Sequence, residues 1–257
     1  MIALPPDVLS SFGDGLWHVF AVFLRVSALV SLLPAFGERN IPVRVKLGIA
    51  VAFTLIVSPA IPEFPAGSGL LDLTVLVGTE VLIGLALGIG LRLFVLAIQT
   101  AGSIAAQATS LSQILGGAAI EPVPAIGFFL TLASLTLAVL LGLHVRAAQF
   151  MIQSYTLFPV NTPLSAPDLS QWGVAQVSRS FGLAFAMATP FVIASLVYNL
   201  ALGVINRAMP QLMVAFVGAP AITFAGLFLL FAGAPLILGV WSDALFTFLH
   251  DPLGNQP

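Results

Sequence analysis

Long apolar stretches, separated by short polar breaks rich in proline, run through the whole chain. The runs at 93–120 and 180–206 contain no Asp, Glu, Lys or Arg, and about 20 apolar residues are enough for a helix to cross a hydrocarbon core. Leu, Ala, Val, Phe and Gly follow one another in them without the alternation that membrane β-strands show. The pattern therefore predicts membrane helices, with hydrophobic segments near residues 15–36, 43–62, 73–100, 125–157, 174–206 and 211–247.

Prolines mark the predicted ends of these segments. The second segment ends in the stretch 59–65, the fourth follows 121–124, and the fifth follows 159–167. Because proline lacks the helical N–H donor and biases the residue before it towards extended backbone, these stretches are predicted loops. Around Gly218-Ala219-Pro220 the last segment admits either one span or a bent hairpin. No internal repeat is visible, so the chain is interpreted as a single membrane-embedded domain, residues 1–257.

Composition narrows the class of protein. Of 257 residues, 59% are hydrophobic and only 7% are charged, whereas about a quarter of an ordinary soluble domain is charged. A soluble fold of this size cannot hide so much apolar surface, which excludes a water-soluble enzyme and a disordered chain. The formal net charge of -2 and the scattered arginines exclude a nucleic-acid binder. The sequence therefore predicts an all-α membrane protein.

Catalytic and metal-binding signatures are missing from the sequence. It has no Cys, no His-Glu-x-x-His, no Gly-x-Ser-x-Gly and no phosphate-binding Gly-x4-Gly-Lys motif. The three histidines, His18, His144 and His250, are far apart in the sequence, so no two of them have the usual spacing of metal ligands. We therefore expect no enzymatic activity, no metal and no cofactor.

The charges inside predicted membrane segments include Arg25 in the first and Glu80 near the start of the third. A charge in lipid is unfavourable and usually faces a partner or water. One hypothesis is a buried Arg25–Glu80 pair, or a pair that each residue makes with another subunit. The alternative is that Arg25 extends towards headgroups and Glu80 marks only a helix end.

Glycines recur through the third segment at Gly78, Gly84, Gly88 and Gly90, and Gly102 follows. Small residues four apart let membrane helices approach closely. The spacing fits packing against a second subunit and packing within the chain equally well.

The stretch 107–124 is uncharged until Glu121, yet it is rich in Gln, Ser, Thr and Gly. Irregular backbone at membrane depth is tolerated only where protein surrounds it or where it lines a cavity. The stretch is either a re-entrant, plug-like loop or an ordinary exposed turn between helices.

Two blocks of the sequence resemble signatures of the FliR family, the R subunit of the flagellar type III export gate. The first block is Gly37-Glu38-Arg39-x-Ile41-Pro42-x-Arg44-Val45-Lys46-x-Gly48. The second is Asn206-Arg207-x-x-Pro210-Gln211-x-Met213-Val214, continuing to Gly218-x-Pro220. Similar residues recur between the blocks at His144 and in Ser154-Tyr155-x3-Pro159-Val160. Two positions depart from the family pattern. Met213 stands where many relatives carry Asn, and Glu121-Pro122 stands where many carry Asp-Pro.

The resemblance implies an export-gate fold and a non-enzymatic subunit of a protein-conducting gate. Family members assemble with P-type and Q-type subunits into a closed ring that contacts the B-type switch protein and the A-type export platform. Unfolded flagellar subunits cross this ring. The implied location is the bacterial inner membrane, in the flagellar basal body, with several membrane passes, lipid contacts and no nucleic acid.

The resemblance also implies roles for particular residues. The central plug of the gate corresponds to the loop residues Gln107, Ser110, Leu111, Ser112, Gln113, Ile114, Leu115, Gly116, Gly117, Glu121 and Pro122. Polar contacts that set the register of subunits are expected at Glu38, Arg39, Arg207 and Gln211. The rival interpretation is that Arg39 and Arg207 anchor helix ends at headgroups.

Two other functions remain alternatives. The homologous T subunit of a virulence injectisome has the same role with different cargo. A small-molecule secondary transporter would show inverted repeats and ionisable residues that converge at the midplane, and the sequence shows neither.

Overall fold

The protein folds into helices joined by short loops. The structure, a computed structural model, describes residues 6–63, 69–109, 125–160, 165–209 and 214–254. In those ranges every regular element is a helix, which confirms the all-α class. The helices are α1 (Pro6–Val30), α2 (Val43–Val57) with a 3₁₀ turn at Ser58–Ala60, α3 (Leu70–Ala108), α4 (Ala125–Leu140), α5 (Leu143–Leu157), α6 (Ala166–Ala208) and α7 (Val214–His250).

Several of these helices are long and apolar enough to cross a membrane. In the described part of the chain there are four such helices, and a fifth span arises if α4 and α5 count together. The four candidate spans are Val43–Ala60, Leu70–Ala108, Ala166–Ala208 and Pro220–His250. The chain is therefore a multi-pass membrane protein.

The structure adds two details to the hydrophobic pattern. Within the predicted segment 125–157 the helix breaks between Leu140 and Leu143. Gly142 there has φ +83°, a left-handed conformation that L-residues with a Cβ adopt only with strain. The last segment is one helix and no hairpin in its described part, since α7 continues through both Pro220 and Pro235.

The chain divides into two compact units. Unit 1 comprises Met1–Arg92, Val139–Gln176 and Phe246–Pro257, and unit 2 comprises Leu93–Ala138 and Val177–Leu245. The prediction of a single domain stays a prediction.

The core of unit 1 forms where α1, α2, α3 and α5 pack together. Val22, Leu29 and Leu33 are fully buried, and so are Leu87 of α3 and Phe150 of α5. α1 and α2 are also linked by a polar contact, in which the buried ring of His18 donates from Nε2 to the Ser58 carbonyl oxygen over 2.9 Å. These contacts hold the frame in which the buried charges lie.

Unit 2 is held by side-chain donors that bind the backbone of α3. Ser180 Oγ of α6 donates to the Leu93 carbonyl oxygen over 2.9 Å, and Trp241 Nε1 of α7 donates to the Phe94 carbonyl oxygen over 2.8 Å. Trp241 is fully buried. Both long helices are therefore fixed against the same turn of α3.

Candidate functional site

The most deeply buried charges in the described chain lie in unit 1, where α1 meets α3. The side chains of Arg25 and Glu80 are 1% and 0% exposed. Gly84 lies one helical turn after Glu80, and a Cβ at that position would collide with the Arg25 carbonyl oxygen. The missing side chain therefore lets the two backbones approach closely enough for a short ion pair.

The two charges form a two-pronged ion pair. Arg25 Nε donates to Glu80 Oε2 over 2.8 Å, and Arg25 Nη2 donates to Glu80 Oε1 over 2.9 Å. Parallel N–H···O bonds of this kind join the planar guanidinium to the carboxylate in one fixed orientation. The structure thus brings together the two charges that the sequence placed in separate segments.

The rest of the guanidinium binds the C-terminal end of α5. Arg25 Nη1 donates to the Ser154 carbonyl oxygen over 3.0 Å and to Ser154 Oγ over 3.3 Å, while Nη2 donates to the Phe158 carbonyl oxygen over 2.9 Å. The Ser154 carbonyl oxygen also accepts from the Phe158 N–H over 2.9 Å, and carbonyls at the C-terminal end of a helix carry partial negative charge that a cation stabilises. The ring of Tyr155 lies 3.7 Å from the guanidinium carbon and adds a cation–π contact.

These contacts leave the Arg25–Glu80 pair closed to other molecules. A guanidinium has five N–H donors, and the five bonds given above use all of them inside unit 1. Neither side chain reaches the surface, so the interpretation in which Arg25 extends to headgroups does not describe this structure. The arrangement joins α1, α3 and the end of α5, which gives it a structural role.

The glycines of α3 pack mainly within the chain. A Cβ at Gly88 would press on Leu32, a Cβ at Gly90 would meet the ring of Phe248, and Gly102 lies directly against Gly127 of α4. Only open space surrounds Gly78. For most of the motif the structure therefore favours the intramolecular alternative.

Glu38 is also paired inside unit 1. Its Oε1 accepts a short hydrogen bond from Arg92 Nη1, and the two side chains are about one-fifth exposed. The sequence does not indicate this partner, because 54 residues separate the two positions and no local pattern links them.

Of the other predicted interface residues, two are exposed to solvent and one lies outside the described residues. Arg39, in the loop between α1 and α2, and Arg207, in the last turn of α6, are exposed, and no described residue pairs with either side chain. Gln211 lies outside the described residues.

The predicted plug falls almost entirely outside the described residues. Gln107 alone is described, as an exposed residue in the last turn of α3. The remaining predicted positions, Ser110, Leu111, Ser112, Gln113, Ile114, Leu115, Gly116, Gly117, Glu121 and Pro122, lie in the gap between Thr109 and Ala125.

No metal site is apparent within the described ranges, where no three His, Cys, Asp or Glu residues group closely enough to hold an ion. His144 and His250 are exposed, in the first turn of α5 and the last turn of α7.

The long helices α6 and α7 expose continuous apolar faces. In the candidate spans that they form, only 22% and 17% of the most apolar stretch is buried. Leu196 and Leu200 of α6 are about 70% exposed, and Phe224, Phe228 and Phe231 of α7 lie on one face and are more than half exposed. Exposed apolar surface of this extent is covered by lipid or by another protein.

Comparison with known proteins identifies a family whose model matches most of this chain. The family described as "Bacterial export proteins, family 1" matches residues 16–248. The chain is 36% identical over 226 residues to "Flagellar biosynthetic protein FliR" of Caulobacter vibrioides, which covers 86% of this chain and 90% of that protein.

Relatives from distant bacteria carry the same name. The Escherichia coli protein is 29% identical over 93% of both chains, and the Bacillus subtilis protein is 29% identical over 77% of this chain and 79% of its own. Their names describe flagellar biosynthesis and indicate no catalytic activity.

Proposed function

Because this chain belongs to family 1 of the bacterial export proteins and is a component of the flagellar export apparatus, we propose that it is a non-enzymatic subunit of the export gate. With P-type and Q-type subunits it forms a closed channel through which unfolded flagellar proteins cross the inner membrane. The B-type switch protein and the A-type export platform contact this channel in the basal body.

The observation that carries the proposal is the exposed apolar surface of α6 and α7. Both helices leave more than three-quarters of their most apolar stretch unburied within the chain. The uncharged run 180–206 measures roughly 40 Å as a helix, longer than the roughly 30 Å of a hydrocarbon core. Subunits that pack against this surface would cover the part that lipid does not.

The closure of the channel is assigned to the loop that begins after α3. The residues from Ser110 to Pro122 are uncharged apart from Glu121. Uncharged polar groups lose less on leaving water than charges do, so they suit a seal that opens and closes. Gln107 marks the helix end from which this loop departs.

The alignment of this subunit with its neighbours is assigned to polar residues in the two signature blocks. Arg39 and Arg207 are exposed without partners among the described residues, and so they are available to acceptors on neighbouring subunits. Glu38 can bind a neighbouring subunit and Arg92 at the same time, because a carboxylate accepts several hydrogen bonds. Gln211 completes the set by its place in the second signature block.

Co-purification tests the proposal. The tagged chain, expressed with the flagellar P-type and Q-type subunits and extracted in mild detergent, should be recovered in one complex with both. Arg39→Gln and Arg207→Gln should lower the yield of that complex, whereas Arg179→Gln, at another exposed arginine of α6, should leave it unchanged.

Other results would overturn this assignment. Recovery of the chain alone, with tight binding of a small solute, would support a secondary transporter. Normal swimming of a strain that lacks the gene would remove the chain from flagellar export. Equal yields for all three arginine variants would assign Arg39 and Arg207 to anchoring at headgroups.

A further inference from the structure

An apolar pocket of about 340 Å³ lies inside unit 1, on the side of α3 that faces the start of α6. This volume is within the range of about 300–1,000 Å³ that is usual for ligand pockets. Its wall is formed mainly by hydrophobic and aromatic side chains, among them Ile83, Leu87, Phe158, Leu169, Trp172 and Leu253. The pocket therefore suits an apolar ligand.

The polar side chains of this mainly apolar lining are the Asp168 carboxylate and the Ser165 hydroxyl. Asp168 is exposed in the first turn of α6, where the positive end of the helix favours its negative charge. Its backbone nitrogen lies 3.5 Å from Ser165 Oγ, and no cation in the described chain forms an ion pair with its side chain. A ligand with a positive group beside an apolar tail would match both features.

The wall of the pocket includes a tryptophan of the kind that is common at membrane interfaces. The end of α5, the start of α6 and the residues after α7 all contribute to the wall. Trp172 donates from its indole Nε1 to the Pro252 carbonyl oxygen over 2.9 Å, and tryptophans with an apolar body and a bound N–H are typical of the headgroup level.

The pocket also continues into an open apolar surface. Ala86 lines the pocket, and Leu82 and Ile89, one turn away on the same face of α3, are each about half exposed. A long flexible chain can follow such a stripe from the surface into the pocket, whereas a single protein side chain would fill only the pocket itself.

We propose that this pocket binds an acyl chain of a membrane phospholipid whose headgroup carries an ammonium group, as in phosphatidylethanolamine. The hydrocarbon wall takes the chain, and the Asp168 carboxylate attracts the ammonium and repels a purely anionic headgroup. The site is independent of the export-gate proposal, because it needs only the described residues of unit 1 and a membrane.

Lipid retention measured by native mass spectrometry tests the site. The full chain is placed in nanodiscs that contain dioleoyl phosphatidylethanolamine and dioleoyl phosphatidylglycerol in equal amounts, and the lipids kept after transfer to detergent are counted. We expect the phosphatidylethanolamine to be retained about two- to fivefold more than the phosphatidylglycerol, because one exposed ion pair changes an affinity by about that ratio.

Matched variants assign the effect to the pocket. Asp168→Asn keeps the size of the side chain but removes its charge and should reduce the ratio to about one, whereas Asp168→Glu keeps the charge and should keep the ratio above one. Asp243→Asn, at an exposed carboxylate of α7, should leave the ratio unchanged. Ala86→Phe should fill the pocket and lower the retention of both lipids.

Three results would overturn the proposal: equal retention of the two lipids by the unaltered chain, an unchanged ratio in Asp168→Asn, or unchanged retention in Ala86→Phe. Loss of a partner subunit in Ala86→Phe with lipid retention intact would assign the pocket to a protein instead. If Ala86→Phe fails to fold, the Asp168 series decides alone, because that side chain is exposed.

Discussion

Arg25 is the residue on which the packing of unit 1 depends most. Its guanidinium meets a carboxylate of α3, a main-chain carbonyl oxygen, a hydroxyl and an aromatic ring of α5, and the carbonyl oxygen of Phe158, the residue after α5. Removal of two charges from water is unfavourable, and only a fully bonded arrangement offsets that loss. Such a network fixes one packing of α1, α3 and α5, because any shift leaves a buried charge without a partner.

A double-mutant cycle measures how strongly the two charges depend on each other. Glu80→Gln and Arg25→Gln should each lower the free energy of unfolding in detergent by about 3–5 kcal/mol, because each leaves the other member of the pair as an uncompensated buried charge. The loss of unfolding free energy in the double variant should be smaller than the sum of the two single losses by about 0.5–3 kcal/mol.

The pair formed by Glu38 and Arg92 is the internal control for that cycle. Both side chains are partly exposed, so Glu38→Gln or Arg92→Gln should change the free energy of unfolding by less than about 1 kcal/mol. Purely additive losses at Arg25 and Glu80, or losses as small as those at the control pair, would contradict the structural role assigned to the buried network.

At the scale of helices, unit 2 depends on the close crossing of α3 and α4. Gly102 and Gly127 lie against each other without side chains between them. In a membrane protein no hydrophobic effect drives helices together within lipid, so the contact surface gained by close approach carries much of their association. This crossing lies just before the end of α3, from which the predicted plug departs.

Alanine substitutions separate close packing from helix propensity. Gly102→Ala should lower the free energy of unfolding by about 1–3 kcal/mol, since its Cβ has no room beside Gly127. Gly78→Ala, in the same helix but in open space, should instead raise it by about 0.5–1 kcal/mol through better helix propensity. Thermal unfolding of the two variants in one detergent gives the comparison, and a tolerated Gly102→Ala would show that the helices can move apart there without loss.

At the scale of the whole molecule, one pair of charges is buried within the chain, whereas two long apolar helices stay largely uncovered. The buried Arg25 and Glu80 are satisfied internally, while α6 and α7 expose rows of Leu, Val and Phe. A subunit built this way is incomplete alone, which agrees with a component of a membrane apparatus.

Deletion of the central loop tests its proposed role in closing the gate. A chain without residues 110–118 should still co-purify with the P-type and Q-type subunits but should make the inner membrane permeable to ions, because the seal is missing. Ion flux into cells or vesicles that contain the complex measures this.

A matched variant separates the length of the loop from its chemistry. Replacement of 110–118 by nine Gly and Ser residues restores the length without the original Leu and Ile side chains, and it should leak less than the deletion but more than the unaltered chain. Unchanged permeability in the deletion would remove the plug assignment.

The sequence alone determined the class of the fold and the family. Helical spans follow from continuous apolar runs, since in lipid the N–H and C=O groups of the backbone must form hydrogen bonds within the protein. The two signature blocks indicate the family because each is a short, continuous stretch of sequence. The break at Gly142 was missed, since a single glycine in an apolar run does not reveal a positive φ.

Only the tertiary structure decided which distant residues meet. Arg25 could have paired with Glu80, with another subunit or with headgroups, and the pairing of Glu38 with Arg92 left no sequence signal at all. Partner choice depends on how helices rotate and cross, which is set by many weak packing contacts spread over the chain, such as the small space at Gly84 and Gly102. A hydrophobic pattern specifies that a helix is buried, whereas the neighbour it is buried against is decided only when all helices pack together.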